Sequence, residues 1–370
     1  MSFTKWNFIM TVFGIFSFLF DIGVDLWISV KYFQQELYLF GLLTLFFVLL
    51  STLIVQAFSY SWYEDDCAED SHGSMTLVLI IHLFLAGTLL RYWYAVKYGY
   101  QATYDHRKQK PEDTKKKAVC AMTDLSMLRC FKTYLENTPQ FILQLYILIE
   151  HGEITIIQYI SIMVSLFSIS WSTVDYQMSL RKSLPGKKGI SVGFPLLSYT
   201  FYKFFTLTSW IVSIVFLITC NIYMFAGLVT LLGFAGFCWA WKQETDFCRT
   251  KKGMEVLYRV IIGTILIFTF FNVKGSNTRV PISVYYFVRV LSTIGILSLC
   301  FYLRPSFACT FIFALLSIAT VVTLGLGILS LILYYACFHP TLHCIGQFKG
   351  DTVDGITSRE QSRFQKFIMP

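Results

Sequence analysis

Residues 119–149 read VCAMTDLSMLRCFKTYLENTPQFILQLYILI, and the kind of protein follows from this stretch. A helix of that length reaches about 46 Å at 1.5 Å per residue, more than the roughly 30 Å of a bilayer's hydrocarbon core. Yet it carries Asp124, Arg129, Lys132 and Glu136 among its apolar residues. Arg129, Lys132, Glu136, Gln140 and Gln144 follow one another at spacings of 3, 4, 4 and 4, which lines them up on one helical face as a polar stripe. Pro139 within the stripe removes a backbone hydrogen bond and predicts a kink or break. Such a helix is stable only among other helices that cover its charges.

The rest of the chain supplies them. Of 370 residues, 55% are hydrophobic, 18% aromatic and only 14% charged, with a mean hydropathy of +0.59; a soluble domain carries about 25% charged residues. A soluble enzyme and a disordered chain are both excluded on these numbers. Apolar segments stand out at 6–30, 37–60, 75–96, 119–149, 154–180, 195–219, 225–241, 253–273, 282–303 and 307–337. Asp21 and Asp25 in the first make it a retained span rather than a cleaved signal peptide. The chain has no GxxxxGK[ST] loop, no CxxC pair and no N-x-[ST] acceptor, so no ATP-driven pump, cofactor, metal centre, enzymatic chemistry or nucleic-acid partner is expected. His339 and His343 with Cys344, the acidic patch Glu64, Asp65, Asp66, Glu69 and Asp70, and the pair Cys300 and Cys309 around Arg304-Pro305 are weaker signals, read as structural. An oxidised Cys300–Cys309 pair remains open.

Charge placement orders the segments. If all ten crossed in alternation, cationic loops would lie on both faces, against the positive-inside rule. The unbroken apolar runs Met75–Leu90 and Val260–Phe271 are shorter than the roughly 20 residues a span needs. Taking both as half-inserted helices that return to the cytosolic side puts 21 Lys and Arg in inner loops and tail, and leaves only Lys31 and Arg304 outside. The expected fold is therefore an all-α polytopic membrane protein of eight transmembrane helices plus two half-inserted helices, with both termini cytosolic. Half-inserted backbone needs neighbouring spans or water around it. Short echoes, Trp62-Tyr63-Glu64-Asp65-Asp66 with Trp241 to Asp246 and Val96-Lys97-Tyr98-Gly99 with Val273-Lys274-Gly275, suggest two five-segment repeats. These would span 1–189 and 190–338, followed by a regulatory tail at 339–370.

The chemistry lies in ionisable groups within the spans: Asp21, Asp25, Asp124, Arg129, Lys132, Glu136 and Asp175, then Lys203, Arg259 and Arg289, with Gln140 on the stripe. Ser165, Ser168, Ser172, Asp175 and Ser179 form a second stripe. A charge at mid-membrane costs about 2.5–3.5 kcal/mol on the lenient insertion scale, so these groups must pair or face water. Asp25 with Lys203 is one candidate pair. Pure stapling of helices is one use of such charges; a polar track for an ion, a solute or a lipid headgroup is another.

The tail carries Asp351-Thr352-Val353-Asp354-Gly355, the Asp-x-x-Asp-small pattern that executioner caspases cut. Cleavage after Asp354 would release a basic peptide with Arg359, Arg363 and Lys366 and the apolar anchors Ile356, Phe364, Phe367 and Ile368.

The span count, the intramembrane charges, the stretch Glu136-Asn137-Thr138-Pro139-Gln140-Phe141 and the terminal Asp351–Gly355 site together resemble the XK-related family, over essentially the whole chain. That resemblance implies a plasma-membrane phospholipid scramblase, switched on by caspases, that exposes phosphatidylserine in apoptosis. It also implies a possible single-span accessory protein. Arg129, Lys132, Arg259 and Arg289 would meet phosphate, for which Arg forks are suited; Asp21, Asp25, Asp124, Glu136 and Asp175 would balance them and meet amines. A solute or ion transporter using the stripes, and a scaffold in which the charges only staple helices, are the alternatives.

Overall fold

The computed structural model describes residues 5–69, 75–104, 111–151, 156–183, 189–243, 247, 251–271 and 279–338. The tail with Asp351, Asp354 and Gly355, and also His339, His343, Cys344 and Asp70, lie outside the described residues.

Every regular element described is helical. In chain order these are α1 (Lys5–Gln34), α2 (Tyr38–Glu69), α3 (Met75–Leu83), α4 (Gly87–Tyr104), α5 (Pro111–Lys132), a π turn at Thr133–Asn137, α6 (Thr138–His151), α7 (Ile156–Ser183), α8 (Phe194–Cys220), α9 (Ile222–Lys242), α10 (Lys252–Phe268), α11 (Arg279–Leu303), the single turn α12 (Pro305–Ala308), α13 (Phe311–Leu333) and a second π turn at Tyr334–Phe338. Among the described residues six helices are long and apolar enough to cross a membrane: Asn7–Gln34, Tyr38–Asp65, Phe194–Cys220, Ile222–Lys242, Val280–Leu303 and Phe311–Phe338. Their outward faces are apolar, with Phe16, Phe20, Leu39, Phe234, Phe287 and Phe311 all exposed. Water would not tolerate so much contiguous apolar surface, whereas lipid does, and the chain is a polytopic membrane protein.

The helices gather into two compact units, Met1–Gln140 with Asp175–Lys187, and Phe141–Val174 with Lys188–Pro370. In the first, α4 and α2 pack on α5, and α1 packs on α2 and α4. Gly14 makes the α1 approach possible: a Cβ there would fall 3.1 Å from Arg129 Nη1 and 3.2 Å from the Tyr92 ring. In the second, α8 is the most buried helix and packs on α13 and α11, while α9 packs on α10. There Gly236 and Gly263 face each other, and a Cβ on Gly263 would meet the Gly233 carbonyl at 2.9 Å. Small residues at such crossings let helix backbones approach closely within lipid.

The stretch 119–149 is not one straight helix. Pro139 cannot donate to the carbonyl four residues back, and its ring would strike it. The chain widens by one residue just before it: the Thr138 N–H and its hydroxyl both turn to Thr133 O, the hydroxyl at 2.8 Å, as a π turn requires. The extra residue rotates everything beyond it. The expected five-residue stripe therefore holds through Glu136 and is out of phase at Gln140, which is buried with its Nε2 unpartnered.

The segment expected at 75–96 is also broken. α3 stops at Leu83 and α4 starts at Gly87, with Leu85 at φ 59° between them. The backbone groups freed there are met by one side chain of α2: Gln56 Nε2 donates to Leu85 O at 2.7 Å, and Gln56 Oε1 accepts from Gly87 N at 3.0 Å. We expect Gln56→Leu, which fits the space but strands both groups, to cost about 1–3 kcal/mol per group left unsatisfied. Thermal melting of the detergent-solubilised protein against wild type measures this; an unchanged midpoint would show that the break is satisfied otherwise.

Candidate functional site

The charges of α5 find partners on three other helices of the first unit. Asp124 meets Arg91 of α4, with Nη1 to Oδ2 at 3.5 Å, and the same guanidinium donates to Ser59 O at 2.8 Å and to Ser59 Oγ at 3.3 Å. Arg129 donates through Nη2 to Asp175 Oδ2 of α7 at 2.7 Å. Lys132 Nζ reaches Asp21 Oδ2 of α1 at 2.7 Å and Glu136 Oε1 at 3.2 Å, and sits 5.0 Å over the Phe18 ring. Asn137 Nδ2 also donates to Asp21, and Glu136 accepts from the Ser51 hydroxyl of α2. Asp21, Asp25 and Glu136 lie with carboxylate oxygens within 4.8 Å of one another. Two carboxyl groups thus contact one ammonium with a third, Asp25, beside them, and Asp25 Oδ2 meets no hydrogen-bond partner among the described residues.

From Asp124 to Glu136 this ladder covers about 18 Å of helix rise, a large part of a bilayer's apolar depth. It is not uniformly dry. The side chains of Arg129, Asp175 and Asp21 are 30%, 22% and 34% exposed, against 1% for Glu136. The Arg129–Asp175 and Lys132–Asp21 pairs therefore open onto the protein's surface, and the Glu136–Asp25 side is sealed. Lys132 joins Asp21 to Glu136, and the Arg129–Asp175 pair lies one helical turn away on α5 with its own opening to the surface.

Sequence reasoning missed Arg91, which follows directly on the apolar run Met75–Leu90, and also Ser51, Ser59, Gln56 and the contact that Asn137 makes with Asp21. A signal for Arg91 was present: it lies within a segment otherwise apolar on both sides, and a buried Asp124 needs a cation. Of the second stripe, Asp175 meets Arg129, and the Ser179 carbonyl accepts from Thr123 Oγ1 at 3.1 Å.

The second unit uses its cations differently. α10 ends at Phe268 and the chain becomes extended at Thr269, so the last carbonyls lose their helical donors. Tyr285 donates to Leu266 O at 2.9 Å, Arg289 Nη2 to Ile267 O, and Lys203 Nζ to Phe270 O at 3.0 Å and to Thr269 Oγ1 at 2.9 Å. Cations at a helix C-terminus also complement its dipole. Lys203 and Arg289 thus cap a buried helix end, with Lys203 grouped in this unit and Asp25 in the other. Arg259 pairs with Glu255 at 3.2 Å and lies 4.6 Å over Trp241. Cys300 lies against Cys220 Sγ of α8 at 2.8 Å, while Cys309 is exposed; both Cys300 and Cys309 are free, and Cys300 packs as the structural reading has it.

The fold and these ion pairs define the class, a multi-pass helical membrane protein with charges paired inside its first half. The model of the family described as XK-related protein matches residues 9–340, and the chain belongs to that family. An XK-related protein 9 of Tetraodon nigroviridis is 34% identical over 385 residues, with all of both chains covered. An XK-related protein 8 of Gasterosteus aculeatus is 30% identical, covering 92% of this chain and 86% of the relative. The corresponding protein 8 of Tetraodon nigroviridis is also 30% identical, over 91% and 84%.

Proposed function

We propose that the protein is a caspase-activated, ATP-independent phospholipid scramblase of the plasma membrane that exposes phosphatidylserine in apoptosis. The observation that carries the reading is the ladder Asp124, Arg129, Lys132, Glu136 with its partners Asp21 and Asp175: successive ion pairs along one helix, of which two open to the surface. A headgroup passing along it would exchange its water for Arg129 and Lys132 at the phosphate and for Asp21 and Asp175 at the amine, while the acyl chains stay in lipid. No covalent bond is made or broken, and lipid moves down its own gradient.

The topology that goes with this reading has eight spans, two half-inserted helices and cytosolic termini. Three features support it. The α3–α4 break and the end of α10 both have their backbone groups met by side chains of neighbouring helices, as backbone ending inside a membrane requires. Glu150, in the short connection after the fourth segment, and Arg304, both on the outer side in this layout, meet at 3.6 Å. Cys220 and Cys300, at the outer ends of their spans in the same layout, also meet. The partners of the reading are phosphatidylserine and other phospholipids, an executioner caspase that cuts after Asp354, and a possible single-span accessory protein.

The test is surface phosphatidylserine in cells that lack their own scrambling response and express this chain. Annexin binding should rise after caspase activation and not before. Caspase activation that leaves annexin binding at the background of untransfected cells would overturn the proposal, and substrate-dependent uptake or current abolished by Glu136→Gln would favour a transporter.

A further inference from the structure

Arg289 has a second face that capping α10 does not use. Its Nη2 serves Ile267 O and the Tyr285 hydroxyl, and its guanidinium stacks 3.9 Å from the Trp210 ring. Its Nη1 is buried and meets no hydrogen-bond partner, and no carboxylate lies within ion-pair distance of Arg289 among the described residues. Two further donors nearby are in the same condition: the Ser209 hydroxyl and the Trp210 Nε1–H are fully or almost fully buried and unpartnered. All three residues line one small cavity with Thr206, Phe268, Tyr286, Thr293 and Leu324.

We propose that this cavity, between α8, α11 and the end of α10, binds a single small monovalent anion of halide size. Among largely apolar lining, the three unpartnered groups are two donors and a fixed positive charge, a set that selects for an acceptor with negative charge. The space is of about one water's size, so chloride enters only with a small outward shift of the side chains around it, and a phosphate or a carboxylate is left out. Water would satisfy the donors but leave the guanidinium uncompensated in a low-dielectric interior; chloride does both. The indole N–H, the hydroxyl and the guanidinium N–H are the kind of donors that take a halide without proton transfer. The bound anion would neutralise Arg289 and hold α8, α11 and the end of α10 in register. This role is independent of the scrambling proposed for the ladder of the first unit.

Melting of the purified full-length protein, in sodium chloride and in sodium gluconate at equal ionic strength, tests it. Chloride and bromide should raise the midpoint saturably by about 3–5 °C over gluconate, and sulfate and inorganic phosphate should not. Ser209→Ala, which removes one donor with little change of shape, should raise the half-saturating chloride concentration about tenfold. Equal midpoints in chloride and gluconate would overturn the proposal in favour of a bound water. Stabilisation by a short-chain phosphatidyl lipid but not by chloride would overturn it in favour of a lipid phosphate.

Discussion

Lys132→Met is expected to lose about 3–5 kcal/mol of stability and all scrambling. Lys132 is the ammonium that compensates Asp21 and Glu136, with the Asp25 carboxylate beside them. Methionine keeps the bulk and the contact with Phe18 but leaves three carboxylates within 4.8 Å of each other; removing one partner of a buried ion pair costs about that much. Adding Asp21→Asn to the same chain removes one of the stranded charges and should recover about 0.5–3 kcal/mol, the usual range for groups in contact. The two roles of the ladder separate here. If the charges only staple helices, the double variant should regain activity along with stability. If they carry headgroups, its melting point should rise while its scrambling stays absent, because the phosphate-binding ammonium is gone. Lys132→Arg retains the charge and should keep both properties in large part.

Asp354→Ala should abolish caspase-dependent phosphatidylserine exposure and leave stability unchanged. The motif Asp351-Thr352-Val353-Asp354-Gly355 offers one cut that frees the basic, apolar-studded peptide beyond it. Replacing the five residues with the recognition sequence of an unrelated protease should transfer control to that protease. Annexin binding after each protease acts on its own variant reads the result. Normal exposure by Asp354→Ala cells would remove the tail from the mechanism while leaving the ladder untouched.

The polytopic body and half of the ladder were legible in the sequence. Local periodicity alone puts Lys132, at the end of α5, and Glu136, in the π turn after it, on one face, and an intramembrane charge is a site by default. Which partner each charge takes was not legible, because Arg129 with Asp175 and Asp124 with Arg91 are set by how helices pack and not by spacing along any one of them. The register beyond Glu136 failed for a local reason: Pro139 forces the π turn that carries Gln140 out of phase. The capping role of Lys203 and Arg289 was hidden because it depends on where α10 stops, inside an apolar run that continues to Phe271. Gln56 gave no signal at all in its own helix, since its partners are backbone groups of another segment.

In the proposed mechanism the successive ion pairs of the first unit form a route for headgroups that the tail keeps closed. Purified protein in liposomes with a fluorescent phospholipid in both leaflets, challenged with dithionite, tests it without the rest of the cell. After caspase treatment the inner-leaflet label should become reducible in vesicles holding wild type. It should stay protected in uncut vesicles and in cut vesicles holding the Lys132→Met, Asp21→Asn protein. Label lost equally from all three, or protected in all three, would contradict the account.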